Sequence, residues 1–429
     1  MNKFKRNFYK LVIAIPVIFA VVVNTTGYFP GGTLNPGTIR GFVFAIILFY
    51  FILRYYPKQK PNGVILGFTL YIGVLSLISS DTQTSIYAYL KFFIGNLMFP
   101  LGFYFINNYQ KFIRLSYSFI ISLGVFVVSI IISNFFKLGT SDYLNDTVYF
   151  GAGRVNITKN MLVLLFSGTI LLAHLKDKQL KWYLLFFIIA IFFTLVGIKR
   201  SVLLSFVLGA FIYVIFNKKR FILMRYVLIS AVMIIVFFIA FPKPLELFIL
   251  RYQAREERIQ LEEETIEGEA RYSEVEEVWN NFIKSPVNVK LIGSEMFNDR
   301  YKYHHKRMLH TDYMVLLSGS GLIGLFLWFY ILWEIIRVKE KYWKLLNKDE
   351  RFIYFNPTFY AVIGAQLIMS ISGSVQAIDL RAYIMLLLGA MIGTLRGEYL
   401  MQKEEGNETR IPMANGVKRY LINAVKSDR

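Results

Sequence analysis

Cysteine is absent from all 429 residues. Its absence excludes disulfides, thiolate nucleophiles and cysteine-ligated zinc together, so any chemistry falls to histidine, arginine, lysine or carboxylates. Histidine is scarce as well, at four residues, and acids are outnumbered, 28 against 48 Lys and Arg, for a net charge of +20. Internal repeats, low-complexity tracts and HExxH-type spacing are also missing. What the chain has in quantity is apolar surface: 55% hydrophobic and 17% aromatic residues, with mean hydropathy +0.48. That is far beyond what one soluble core requires, and the composition is that of a polytopic membrane protein.

A hydrocarbon layer about 30 Å thick takes roughly 20 helical residues to cross. Apolar runs near that length predict about twelve transmembrane helices, at 8–23, 39–55, 63–79, 87–106, 115–135, 160–173, 182–197, 201–216, 221–241, 313–336, 357–372 and 381–395. The basic residues do not suggest nucleic acid, because they concentrate in short loops of one parity. "RYYPKQKPN", "NNYQKFIR" and "HLKDKQLK" carry them, whereas "NTTGYFPGGTLNPGT" and "SSDTQTS" hold almost none. This positive-inside pattern predicts both termini in the cytoplasm. The first run lacks a small-residue cleavage site and is expected to stay as a helix. The domain reading is 1–241 for helices one to nine, 242–312 for a large extracytoplasmic loop, 313–395 for helices ten to twelve and 396–429 for a cytoplasmic tail.

The large loop breaks the symmetry of a chain whose other connections are mostly short. Its first half, "ELFILRYQAREERIQLEEETIEGEARYSEVEEVWNNFIK", reads as amphipathic helix, with Tyr272, Val275, Val278, Trp279 and Phe282 near three- and four-residue spacing. Pro286 and Gly293 are expected to break it. "FNDRYKYHHKRMLHTDY" follows, with three of the four histidines.

Four constellations bear on chemistry. Lys199 and Arg200, in "VGIKRSVLL", sit at the outer end of two helices, against the positive-inside bias; snorkelling to lipid phosphate is the simpler alternative. Arg271, in "EGEARYSEVEEVW", either serves a site or pairs with Glu267 or Glu274 at helical spacing. His310, with Asp312 and the pair His304 and His305, offers an imidazole able to take a proton at neutral pH. An interfacial histidine or a cationic patch on anionic lipid is the alternative there. Adjacent histidines diverge on regular structure, so no metal set is assigned. Arg154, with Asn156 and Asn160, lies in a Gly-rich external loop, which it either orders or equips for binding. "SGSGLIG" at 318–324 has no preceding strand and reads as small residues for close helix packing, not as a phosphate loop.

"HTDYMVLLSGSGLIG", "GIKRSVLLSFVLG", "ARYSEVEEVWNNFIKSPVNVKLIGSEMF" and "GRVNITKNMLVLLF" together resemble, in family order, the motifs of the O-antigen ligase and polymerase superfamily. Thr311 stands where that family has Asn, Lys199 where it tends to have Ser, and Ile157 and Thr158 interrupt its Asn-Pro-Asn. The resemblance implies glycosyl transfer from an undecaprenyl-diphosphate-linked oligosaccharide at the outer face of the bacterial cytoplasmic membrane, without nucleotide sugar, cofactor or metal. Arg200 and Arg271 would hold the diphosphate as it departs, and His310 would activate the acceptor hydroxyl. Arg154, Lys199, Asp312, Tyr272 and His305 are the expected substrate-binding residues. Expected partners are the lipid-linked oligosaccharide, membrane lipid, a chain-length regulator and a flippase, and not nucleic acid. A repeat-unit polymerase is the leading expectation; a ligase of the same superfamily and a lipid-linked oligosaccharide flippase remain open.

Overall fold

The computed structural model describes residues 3–28, 36–138, 149, 154–196, 200–218, 249, 253, 270–298, 309, 311–373 and 377–408. Every regular element among the described residues is a helix. These are α1 (Lys3–Tyr28), α2 (Pro36–Tyr55), α3 (Lys60–Leu77), α4 (Thr82–Phe105), α5 (Tyr109–Phe136), α6 (Arg154–Gly168), α7 (Asp177–Val196), α8 (Arg200–Phe216), α9 (Ala270–Lys284), α10 (Val287–Ile292), α11 (Asp312–Leu346), α12 (Phe355–Met369) and α13 (Ile378–Glu408). Short 3₁₀ turns extend α6 and flank α12.

Eight of these helices are long and apolar enough to cross a membrane. The shorter apolar stretches Ile157–Ala173 and Ser201–Phe216, together with α7, coincide with three further predicted runs. The run at 221–241 lies outside the described residues. The outer surface is that of a membrane protein. On α2, Ile39, Phe42, Ile46, Phe49 and Leu53 recur at three- and four-residue intervals, each more than half exposed. Such a stripe is costly in water and favourable against acyl chains.

The bundle is built around α13, the most completely buried span. It runs parallel to α4, and glycines set how closely the two backbones approach. A Cβ on Gly389 would stand 2.1 Å from the Phe99 carbonyl oxygen, and one on Gly393 would stand 2.5 Å from that of Phe103. Close approach through small residues drives helix association where apolar burial no longer discriminates. Around this pair, α1 packs on α5, α3 on both α4 and α11, and α8 on α12.

Several elements differ from expectation at their ends. α6 begins at Arg154 rather than 160, so "RVNITK" is helical and not loop. α11 runs 35 residues, roughly 50 Å, and carries "RVKEKYWKLL" well beyond the run ending at 336 as helix. It is interrupted at Gly321, with φ +62. There α10 and the following turn pack in. A Cβ on Gly319 would meet Met296 at 2.5 Å, and one on Gly293 (φ +75) would meet the Gly319 carbonyl at 2.1 Å. The small residues of 318–324 thus do serve close packing, against α10 and the turn after it. Tyr71 locks the junction, its one hydroxyl proton shared between the carbonyls of Ile292 and Ser320 at 2.6 and 2.9 Å.

The predicted amphipathic helix of the large loop is present as α9, and the break at Pro286 holds; the part before 270 lies, apart from 249 and 253, outside the described residues. Its buried face is not the expected one. Val278 is buried, but so is Glu274, while Val275 and Trp279 are exposed. Trp279 stacks on Phe282 at 5.8 Å instead of entering the core.

Candidate functional site

The ends of the bundle differ in character. At the far end, where α1 stops, lies a cavity of about 500 Å³ walled by the last turns of α1, the first turns of α2, α4 and α6, and the start of α13. Pro36 opens α2, with a fixed φ suited to a first helical turn. Asp81 caps α4 by accepting from the Thr84 amide at 3.1 Å. These starts bring Arg40, Lys91, Lys159, Asn160 and Asp379 to one cavity wall.

Three cations therefore face one acid. Arg40 pairs with Asp379, and its guanidinium lies 4.6 Å from the Phe19 ring centroid. Lys159 is buried and donates to the Gly373 carbonyl. The Asn160 side-chain oxygen is buried and has no hydrogen-bond partner among the described residues. Ionised side chains at membrane depth are costly unless they serve a pathway or a ligand. The arrangement suits an anion with neighbouring hydroxyl groups: the cations take the charge, and Asn160 accepts from a donor.

On the side of α13 turned to α4 and α11, Arg381 is fully buried. Its guanidinium is sandwiched 4.5 Å from the rings of both Phe92 and Trp328, and Nε donates to Asn96 at 2.9 Å. Asn96 in turn donates to Thr69 at 3.3 Å. Both terminal nitrogens of Arg381 lack hydrogen-bond partners among the described residues, and Asp312 is the acid whose charge acts on it. The segment between α12 and α13 ties this region to the cavity. Thr311, at the start of α11, donates to the Ile371 carbonyl at 3.2 Å, two residues from the Gly373 carbonyl that Lys159 holds.

Of the sequence-predicted site residues, Asp312 is buried in the first turn of α11, beside Arg381. His310, His305, Lys199 and also His304 lie outside the described residues. Arg154, Arg200, Arg271 and Tyr272 are placed by backbone alone. Arg154 begins the helix whose Lys159 and Asn160 line the cavity, Arg200 begins α8, and Arg271 and Tyr272 lie in the first turn of α9, which packs on α11. Asn160, noted beside Arg154, does reach the cavity.

Sequence reasoning passed over Arg40, Lys91, Lys159, Asp379 and Arg381. All but Lys159 and Asp379 stand inside predicted apolar runs, and a charge within such a run is itself a functional indication. No protein-family model matches the chain, and no curated protein matches it significantly in sequence.

Proposed function

We propose that the chain is a glycosyltransferase of the bacterial cytoplasmic membrane that joins polyprenyl-diphosphate-linked oligosaccharide repeat units into a surface polysaccharide. In this reading about twelve helices span the bilayer, both termini are cytoplasmic, and the far-end cavity opens outside. The observation that supports it most is the cavity itself: three cations against one acid, at the end that the charge distribution assigns to the outer face.

The acceptor hydroxyl attacks the anomeric carbon of the lipid-linked sugar, a new C–O bond forms, and the bond to the diphosphate breaks. His310 takes the hydroxyl proton, a contribution of roughly 10²- to 10⁴-fold in rate. The diphosphate leaves with its electron pair, and its growing charge is held by cations in a site where water is scarce. Arg40, Lys91 and Lys159 are candidates for that hold beside Arg200 and Arg271, and Asn160 would receive a sugar hydroxyl. An undecaprenyl tail would lie along the apolar exterior.

The test is incubation of purified protein with a lipid-diphosphate repeat unit, with products resolved on a gel. A ladder supports a polymerase, a single transfer to a second acceptor a ligase, and no covalent product a flippase. Arg200→Ala, Arg271→Ala and His310→Ala should each abolish chain growth without loss of membrane insertion, whereas His304→Ala should be tolerated. Unchanged polymer length in the first three would remove those residues from the site.

A further inference from the structure

The near end of the bundle, where α1 begins, holds a second and larger cavity, of about 1450 Å³. It collects Arg6 and Lys10 from α1, Lys111 and Arg114 from α5, and Arg351 from the turn before α12. Glu398 is the one carboxylate in its wall, and that acid is engaged by Arg351 at 3.2 Å and by the Tyr109 amide at 2.9 Å. Lys111 bonds to the neutral Asn107 at 2.7 Å. No carboxylate among the described residues pairs with Arg6, Lys10, Lys111 or Arg114. Four cations thus surround one hollow without neutralisation from its wall.

The positive-inside bias by itself would scatter such charges around the rim. Here helical spacing gathers them: Arg6 and Lys10 are four residues apart on α1, and Lys111 and Arg114 three apart on α5, so each pair shares a face. The wall is also not uniformly polar. Tyr9 stands level with the cations, Ile13 lies three residues past Lys10 into the bundle, and Leu400 and Met401, beyond Glu398 on α13, line the mouth, on helices that are candidate spans. A soluble anion has no use for these apolar groups or for a place on spanning helices; an amphiphile whose charged head sits beside acyl chains has. From this mixed wall of unneutralised cations and apolar groups we infer that the near-end cavity binds the headgroup of an anionic phospholipid, one carrying one or two phosphodiesters. Arg6, Lys10, Lys111 and Arg114 hold the phosphate oxygens, and the first part of an acyl chain lies against Ile13. Assignment to the cytoplasmic leaflet rests on the orientation proposed above. The chain lacks cysteine, so Lys344→Cys provides a single label at this end, and it should react only in permeabilised cells; reaction in intact cells would overturn the leaflet.

The site is tested on the full chain in detergent by native mass spectrometry, titrating phosphatidylglycerol, cardiolipin and phosphatidylcholine. Arg6, Lys10 and Arg114 are exposed, so Arg6→Gln/Lys10→Gln/Arg114→Gln should fold. Each cation near an anionic surface is worth about fivefold in affinity, and the triple variant should weaken phosphatidylglycerol or cardiolipin binding by at least tenfold. Lys58→Gln/Lys344→Gln/Lys348→Gln removes the same charge from the same end outside the cavity and should change binding less than threefold. Equal losses in both triples, equal binding of phosphatidylcholine, or full competition by soluble glycerol phosphate would each overturn the site. No turnover is involved, so a negative result here leaves the glycosyl-transfer reading standing, and the converse holds.

Discussion

Replacing Arg40 changes two quantities of separate origin. Its side chain is 8% exposed and that of its partner Asp379 17%. Arg40→Ala leaves a poorly solvated carboxylate without its counter-ion, and breaking a buried pair from one side costs about 3–5 kcal/mol. Asp379 keeps some solvent access and feels the charge of Lys91, which places the expected loss near the lower bound. About 3 kcal/mol is roughly a 150-fold fall in the folded-to-unfolded ratio. Arg40→Leu/Asp379→Leu removes both charges, and an apolar replacement of a buried pair is often neutral or stabilising. The double variant should therefore regain the stability of the parent within about 1 kcal/mol.

Its cavity would hold two cations and no acid in place of three cations and one acid, so the net charge there is unchanged while the guanidinium fork is gone. If the fork binds diphosphate, affinity should still fall about tenfold, since a hydrogen bond to a charged group is worth about 1.5–3 kcal/mol. Thermal unfolding in detergent, followed by tryptophan fluorescence with and without a short polyprenyl diphosphate, reads both effects. An Arg40→Ala variant as stable as the parent would refute the account of the pair. A double variant as unstable as the single would show that the loss is not electrostatic.

Gly321→Ala should loosen the packing of α10: the position has φ +62 and ψ −164, a region costing other residues about 1–3 kcal/mol, and the added Cβ would stand 2.6 Å from the Leu291 carbonyl. Faster proteolysis after residue 284, with the spanning bundle intact, is the readout. Glu295→Gln should act similarly, because the carboxylate takes the Ser80 amide and hydroxyl at 2.8 Å each and Asn298 at 3.0 Å; about 2 kcal/mol is expected, seen as faster amide exchange at 79–82. Asp349 gives a pH signature. Burial disfavours its charge, but hydrogen bonds from Arg351 outweigh that and hold its carboxyl below the ordinary range. With a depressed folded value, its stabilisation is complete above the unfolded value and is lost as pH falls through the folded one, below about pH 4. Asp349→Asn should therefore lower the unfolding temperature at neutral pH and match the parent in strong acid.

Much of the architecture was legible because the bilayer imposes a length and a polarity on any segment that crosses it. Runs such as 87–106 and 115–135 could only be helices in hydrocarbon, and α4 and α5 occupy them. Helix ends were less legible. α6 starts at Arg154 and α11 continues to Leu346, since the change in hydropathy marks the edge of the apolar run and not the end of the helix, which continues through polar residues. The face of α9 was misread because spacing identifies a stripe but not its partner, and Glu274 takes a buried place that the pattern gave to Trp279.

The sequence by itself determined that this is an all-helical membrane protein whose basic residues favour one side, because composition and loop charge are local quantities that need no partner. Which charges meet is a different matter. Arg40 and Asp379 are separated by most of the chain, as are Asn96 and Arg381, and only the glycine-mediated approach of α13 to α4 and the convergence of five helix ends bring such residues together. A cavity is a property of several surfaces at once, and tertiary packing alone decided where its cations would stand.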